Sequence, residues 1–254
     1  MYKILANTIF LGKDVFFLPE CHSTNDKAME LIRAGGLREG SIVITAHQTK
    51  GKGQRGNVWE TEPEQNLTFS LILEPRFLDI TEQFLLNMVV ANSIRRLLQE
   101  YIPDLKVKWP NDLVVPGHGK IGGILIENII NSNAWESAVV GIGVNVNQRN
   151  FSISSACSIS SVSGGTFDLE ELFRLLVSHL EQGYLLLKKG KREEIQRDYL
   201  QYLFLRDEWA VFRESEVEFE GRILGISKEG KLQMELGDGT FRSFDLKELS
   251  FPNP

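Results

Sequence analysis

Seven consecutive residues, Lys50-Gly51-Lys52-Gly53-Gln54-Arg55-Gly56, hold three glycines, two lysines and an arginine, and Trp59 closes the run. Glycine lets backbone N–H groups turn toward a ligand at little steric cost. Interleaved cations make such a loop attractive to phosphate or carboxylate. An indole at its end can stack on a base or another flat ring. This composition points to a nucleotide or an activated acid, although a mobile hairpin charged only for solubility would read the same way.

Formally the loop matches G-x-G-x-x-G at Gly51, Gly53 and Gly56, but context excludes the dinucleotide fold. No helix opens after the glycines; Pro63 and a β-type run over 67–73 follow. The kinase motifs V-A-I-K, H-R-D and D-F-G are absent, as is a G-K-[ST] P-loop. A second match at Gly117, Gly119 and Gly122 runs into Gly123-Ile124-Leu125-Ile126, more strand than helix.

Three further clusters join the loop. Ser23-Thr24-Asn25 stands at a predicted helix start, where N-capping alone accounts for such residues. Only one residue need cap, however, and three adjacent donor and acceptor side chains can also bond a polar ring. Lys108-Trp109-Pro110-Asn111-Asp112 places a cation, an indole, an amide and a carboxylate at a strand end. Asn-Asp after Pro is ordinary turn chemistry, which leaves Lys-Trp unexplained. Lys120 stands at the mouth of an apolar strand, and Gly122-Gly123 permits close approach of a ligand. Gly141-Ile142-Gly143-Val144-Asn145 is a second glycine-thinned strand ending in an amide.

The elements that must position these residues follow from periodicity and punctuation. Strands are predicted over 14–18, 41–46, 66–73, 106–109, 113–115, 121–127 and 135–145. Ser23 with Asp26 caps a helix through Ala34, Asp79 with Glu82 caps a long helix with an apolar stripe from Phe84 to Tyr101, and Asp168 with Glu171 caps a helix through Lys188. A further helix is expected from about 192 to 204, and the serine-rich stretch 152–165 is read as a loop. After Arg206 the texture changes to short alternating strands over 209–212, 217–226, 231–236 and 240–244, with turns at Glu229-Gly230 and Gly237-Asp238-Gly239. We expect an α+β fold of two domains, 1–205 with the chemistry and 206–254 as a small β-barrel.

Composition bounds the class. The chain has 254 residues, 42% hydrophobic and 24% charged, with net charge −6, so nonspecific nucleic-acid binding is not expected. Two cysteines without C-x-x-C spacing read as thiols in a reducing compartment. No signal-peptide stretch and no run of 18 apolar residues is seen, so a cytoplasmic protein with no membrane partner is expected. His22, His47, His118 and His179 have no metal-ligand spacing, and no dedicated metal cage is expected.

Taken in order, Ser23-Thr24-Asn25, Gln48 with the glycine loop and Trp59, Lys108 to Asp112, Lys120 to Glu127 and Gly141 to Asn145 resemble the biotin protein ligases. The family pattern is S-T-N, a Gln followed by G-R-G-R-x-G-R and a Trp, K-W-P-N-D, K-x-x-G-I-L-x-E and G-x-G-x-N. The motifs cover 15–147. Lys52 and Gln54 stand where Arg is usual; Lys keeps the charge without the planar fork, and Gln54 has none. The resemblance implies a mixed-sheet catalytic domain of the biotin/lipoate ligase type with an SH3-like C-terminal barrel. It implies ATP-dependent formation of biotinyl-5′-AMP, then transfer of biotin to a lysine of a biotin carboxyl carrier domain. With only 22 residues before Ser23, the short form without a helix-turn-helix domain is expected.

By carry-over, Ser23, Thr24, Asn25 and Gln48 would bond the ureido ring. Gly51, Lys52, Gly53, Gln54 and Gly123 would follow the biotin chain. Lys120 would reach the carboxyl and phosphate oxygens, and Lys52, Arg55 and Mg²⁺ carried with ATP would offset phosphate charge. Trp59, Asn111 and Asn145 belong to the adenylate side, and Asp112 would orient the incoming lysine amine or accept its proton. The rival readings are a lipoate or octanoate ligase or transferase of related fold, and a non-catalytic biotin sensor.

Overall fold

A computed structural model describes residues 7–131, 134–246 and 248–252; the side chains of Arg55 and Ala134 lie outside the described part. Seven strands form one mixed sheet: β1 (Val15–Leu18), β2 (Ile42–Thr45), β3 (Asn66–Leu73), β4 (Lys106–Lys108), β5 (Asp112–Val115), β6 (Gly119–Asn131) and β7 (Ala134–Asn145). Their order is β1-β2-β3-β7-β6-β5-β4, parallel between β1 and β2 and antiparallel elsewhere.

Period-2 alternation splits each central strand between two faces. Ile42 and Ile44 of β2, Phe69, Leu71 and Leu73 of β3, and Val140 and Ile142 of β7 all enter the main core. Helices α2 (Gln83–Leu98) and α4 (Leu169–Lys188) cover that face, with α5 (Arg192–Gln201) packed on them. The opposite face is apolar at one end only, where Val43, Ile72 and Val139 meet Ala28 of α1 (Thr24–Arg33). Beyond that patch the same face continues as Ser70, Thr68 and Asn66 on β3, paired with Gly141, Gly143 and Asn145 on β7. On β6 it continues as Leu125 and Gly123. One sheet face thus changes from hydrophobic to polar and glycine-thinned, and the polar end is where a ligand can approach the backbone.

Four antiparallel strands form a separate sheet in the order β11-β10-β9-β8: β8 (Trp209–Glu214), β9 (Val217–Ile226), β10 (Leu232–Leu236) and β11 (Phe241–Phe244). Phe212, Phe219 and Phe244 stack within it, and Phe251 meets Phe212 edge-on. The buried Trp109 indole donates to Gly230 O at 3.0 Å, and Phe84 packs against Gly230, tying this small SH3-like unit to the main sheet.

Three expectations need correction. Asp79 caps a 3-10 turn at Ile80–Glu82 rather than α2, because its carboxylate accepts from Thr81 N. Within 152–165 a short helix α3 (Ile159–Ser163) forms, closed at its start by a reciprocal Ser158–Ser161 capping box. And α5 stops at Gln201, since the chain turns to pair with β4, where Val107 N donates to Tyr202 O and Phe204 N donates to Val107 O.

Candidate active site

Ser23 is the N-cap of α1, its hydroxyl accepting from Asp26 N at 3.5 Å. That leaves Thr24 and Asn25, both 3% exposed, free to point onto the polar sheet face. Asn25 fits only because residue 141 is glycine: a Cβ there would meet Asn25 Oδ1 at 2.4 Å. Gln48 Oε1 accepts from Thr24 N at 2.7 Å. Ser70, on β3 beneath them, bonds both Thr24 Oγ1 (2.8 Å) and Asn25 Oδ1 (2.6 Å).

The glycine loop folds back over this floor. Lys52 pairs with Val58, Gly53 N donates to Asn57 O, and Trp59 N donates to Gly51 O at 3.0 Å. A Cβ on residue 51 would lie 2.2 Å from Trp59 O, so this closure requires glycine there. The Trp59 indole packs against Gly143 and Gly123, and a Cβ on Gly143 would be 2.4 Å from its ring. Lys52 Nζ reaches Asp26 at 2.6 Å, and that bond raises the Lys52 pKa. The backbone of Arg55 lies in the 3-10 turn Gln54–Gly56; its side chain lies outside the described residues.

Lys120 owes its place to a β-bulge. Counting back from Gly123, strict alternation would put Ile121 in the site and Lys120 in the core. The β5–β6 register skips Ile121, which is fully buried, and Lys120 turns out to line the pocket instead. There its ammonium lies 2.6 Å from Asp112 Oδ1 and 5.5 Å from the Trp59 ring centroid. Lys120 is thus one half of an ion pair rather than a lone cation. The turn carrying Asp112 is clamped by Asn87 and Tyr199, which both donate to Pro110 O. Neighbouring Lys108 sits over Phe251, and burial lowers its pKa against the opposing pull of Asp112.

Two connected spaces result. The first is lined by Ser23, Thr24, Asn25, Gln48, Lys52, Gly53, Gln54, Asn111, Lys120 and Gly123, with Thr68 in its floor and Trp59 as its end wall. The second opens beyond Trp59 and is lined by Asn145, Lys120, Phe151, Ile153, Ser155 and Ala156. Among the described residues Asn145 Oδ1 and Trp59 Nε1 are buried with no hydrogen-bond partner, and the first space touches Trp59 just as the second touches both residues. Buried orphan polar atoms are costly, which suits groups kept for a ligand.

Some candidates are engaged by the protein itself. Asn25 spends both amide protons on Leu125 O and Glu127, and Asn111 Nδ2 bonds Ile124 O. Gly51 borders a groove on the outer side of the loop instead of the first space. Trp109 is a strut to the second sheet and lines neither space. Two parts of the site escaped the sequence reading. Ser70 is identified only by its register opposite Gly141. The segment 151–156 is zipped along Lys120, whose N–H donates to Ser155 O; its one signal was Phe151 and Ile153 amid serines. Cys157, next in line, is not a nucleophile: burial pushes its thiol up to about 12.

The model of the biotin/lipoate A/B protein ligase family matches residues 18–145, half of the chain and nearly all of the mixed sheet. The chain belongs to this family. The bifunctional ligase/repressor BirA of Bacillus spizizenii is 28% identical over 250 residues, an alignment covering 91% of this chain and 72% of that one. The biotin–[acetyl-CoA-carboxylase] ligase of Paracoccus denitrificans is 32% identical over 51% of this chain and 53% of its own. Among solved structures, the Aquifex aeolicus biotin protein ligase in complex with biotin and ATP superposes with TM-score 0.79, at 23% identity over 95% of this chain and 100% of that one. The shared fold includes the four-stranded C-terminal sheet.

Gly143 offers a direct test of the wall between the two spaces. Gly143→Ala must displace the Trp59 ring from this wall. Since the methyl faces the site and not the core, the melting temperature should hold while the Michaelis constant for nucleotide rises about tenfold or more. Steady-state kinetics with a thermal melt checks this, and an unchanged nucleotide constant would count against the placement of Trp59.

Proposed function

We propose that this protein is a biotin protein ligase. The observation that carries the reading is a polar pocket running from Ser23, Thr24 and Gln48 to the Lys120–Asp112 pair, joined across Trp59 to a second space with an orphan acceptor at Asn145. The first space suits a small acid with a polar ring, the second a nucleotide base, and the cation stands at their junction. The names of the family relatives agree with that assignment.

In the first step a biotin carboxylate oxygen attacks the α-phosphorus of ATP, and pyrophosphate leaves. Two anions must approach, so Lys120 holds the carboxylate and phosphate oxygens together. Lys52 sits above the same space and can leave Asp26 to meet an incoming anion; Arg55 is proposed to assist. Among the described residues no group of three His, Cys, Asp or Glu could hold a metal ion. Mg²⁺ is proposed to arrive with the ATP polyphosphate. In the second step a lysine amine attacks the biotinyl carbonyl, AMP leaves, and the amine proton passes to Asp112. The acceptor is a carrier domain of a carboxylase. The glycine loop keeps water from the mixed anhydride between the two steps.

We assign the chemistry to 1–205 and a separate small domain to 206–254. No helix among the described residues is long and apolar enough to cross a membrane, and two free thiols suit the cytoplasm. Biotin-dependent exchange of labelled pyrophosphate into ATP tests the reading; exchange with lipoate or octanoate but not biotin would overturn it. Hydrogen exchange over 50–59 should also slow when biotinyl-AMP is bound, because its anion supplies ordering contacts to a glycine-rich segment. Equal exchange with and without the adenylate would contradict the closing role of the loop.

A further inference from the structure

Beneath the first space lies a chain of hydrogen bonds whose direction is fixed at one end. Glu127, as a carboxylate, and the Leu125 carbonyl only accept. Asn25 approaches Glu127 Oε2 at 2.7 Å and Leu125 O at 3.2 Å, so the end facing them is its NH₂ and both protons are spent. The opposite end, Oδ1, therefore faces Ser70 Oγ at 2.6 Å and must accept from it. Ser70 is fully buried and has one proton, now committed. At its 2.8 Å contact with Thr24 Oγ1 it can only accept, and Thr24 donates. The other acceptor near Thr24, Gln48 Oε1, lies farther away at 3.1 Å and already takes the Thr24 backbone proton at 2.7 Å, so the shorter Ser70 contact holds the hydroxyl proton. The Thr24 proton is thus held on Ser70, and Thr24 Oγ1 shows the pocket only lone pairs. Gln48 is fixed independently: its Oε1 takes the Thr24 backbone proton at 2.7 Å, which leaves Nε2 as a donor. Among the described residues Nε2 donates to no protein atom, and Gln48 lines the pocket.

The pocket wall thus presents an acceptor beside a donor. We infer that Ser70, through Asn25 and Glu127, is a specificity-determining positioning residue that fixes Thr24 Oγ1 as an acceptor and so selects a ring with an N–H beside its carbonyl. This rests on the ligase reading and names what within that site tells a cyclic urea from a ring of similar size without N–H. A dithiolane or a ring oxygen offers Thr24 no proton and would set lone pair against lone pair. Sites built to bond a polar group reject analogues lacking it far more strongly than apolar pockets reject a changed methylene. Ser70 touches no substrate atom in this scheme; it acts through Thr24.

The test compares biotin with its two cyclic carbamate analogues, each with one ring N–H replaced by oxygen, by calorimetric binding to the full chain. Wild type should bind one regioisomer about 100-fold or more weaker than biotin. Ser70→Ala frees the Thr24 proton to turn outward and meet the ring oxygen. That discrimination should then fall below about tenfold, with biotin itself bound about tenfold weaker and ATP affinity unchanged. Ser70→Thr, which keeps the hydroxyl, should restore the discrimination. If Ser70→Ala does not fold, Glu127→Leu removes the acceptor that orients Asn25 from a half-buried position and should lower the same ratio. A ratio that survives Ser70→Ala, or falls only together with ATP affinity and melting temperature, overturns the inference and leaves the ligase reading intact. Wild type that does not bind biotin overturns that reading, and the inference with it.

Discussion

Lys120→Ala is expected to slow biotinyl-AMP formation by about 10²–10³, the usual consequence of removing one preorganised contact to developing charge. The ammonium stands where the two spaces meet, and the β6 bulge that turns it there also sends Ile121 into the core. Its ion pair with Asp112 is partly exposed, at 37% and 27%, so losing it should change stability by less than about 1 kcal/mol. The melt should therefore stay near wild type while pyrophosphate exchange collapses. Lys120→Arg separates charge from shape: it keeps the positive charge but spreads it over a planar fork that two oxygens must approach differently. Partial recovery with Arg and none with Ala would fit a charge held between carboxylate and phosphate. Near-wild-type exchange in Lys120→Ala, at unchanged nucleotide affinity, would remove Lys120 from the chemistry.

The legible parts of this fold are those in which local chemistry and tertiary structure agree. β3 runs over Asn66–Leu73 as its β-type composition implied, and Asp168 caps α4 with bonds to Glu170 N and Glu171 N. Ser23-Thr24-Asn25 proved both a cap and a pocket wall, because one side chain suffices for the capping. What stayed hidden depends on register. A bulge leaves no mark in composition, so Lys120 read as a strand-end cation with nothing to indicate its partner Asp112. Ser70 sits mid-strand in an apolar run, where its hydroxyl carries no signal until β7 places Gly141 beside it. Trp109, which turn chemistry left unexplained, owes its place to a distant contact: its N–H is satisfied by Gly230, a residue 121 positions away that no local reading could supply. The glycine loop was legible because glycine, charge and indole occur in one short segment, and Gly51 and Gly143 have no room for a Cβ.

Asp112→Asn is expected to impair transfer to the carrier lysine at least tenfold more than it impairs adenylation, in line with the 10²–10⁴ contribution typical of positioned acid–base groups. The amide keeps the size of the side chain and removes its charge. Pro110 O is clamped by Asn87 and Tyr199, and Asn111 is bonded to Ile124 on both sides, so the turn does not need the Asp112 carboxylate to hold its shape. The carboxylate instead faces Lys120, next to where the mixed anhydride would form. A lysine amine in water, which ordinarily titrates at about 10.4, must lose a proton before or during attack, and Asp112 is the acceptor we propose at that spot. In the proposed mechanism, Lys120 is engaged by the phosphate once the adenylate is made, and Asp112 is released to receive the amine. Single-turnover kinetics with preformed biotinyl-AMP isolates this second step. A turn role would lower stability and slow both steps equally, and a metal role would slow adenylation first. Transfer from preformed adenylate at the wild-type rate would show that Asp112 does not serve the second step and that its carboxylate does no more than hold Lys120 in place.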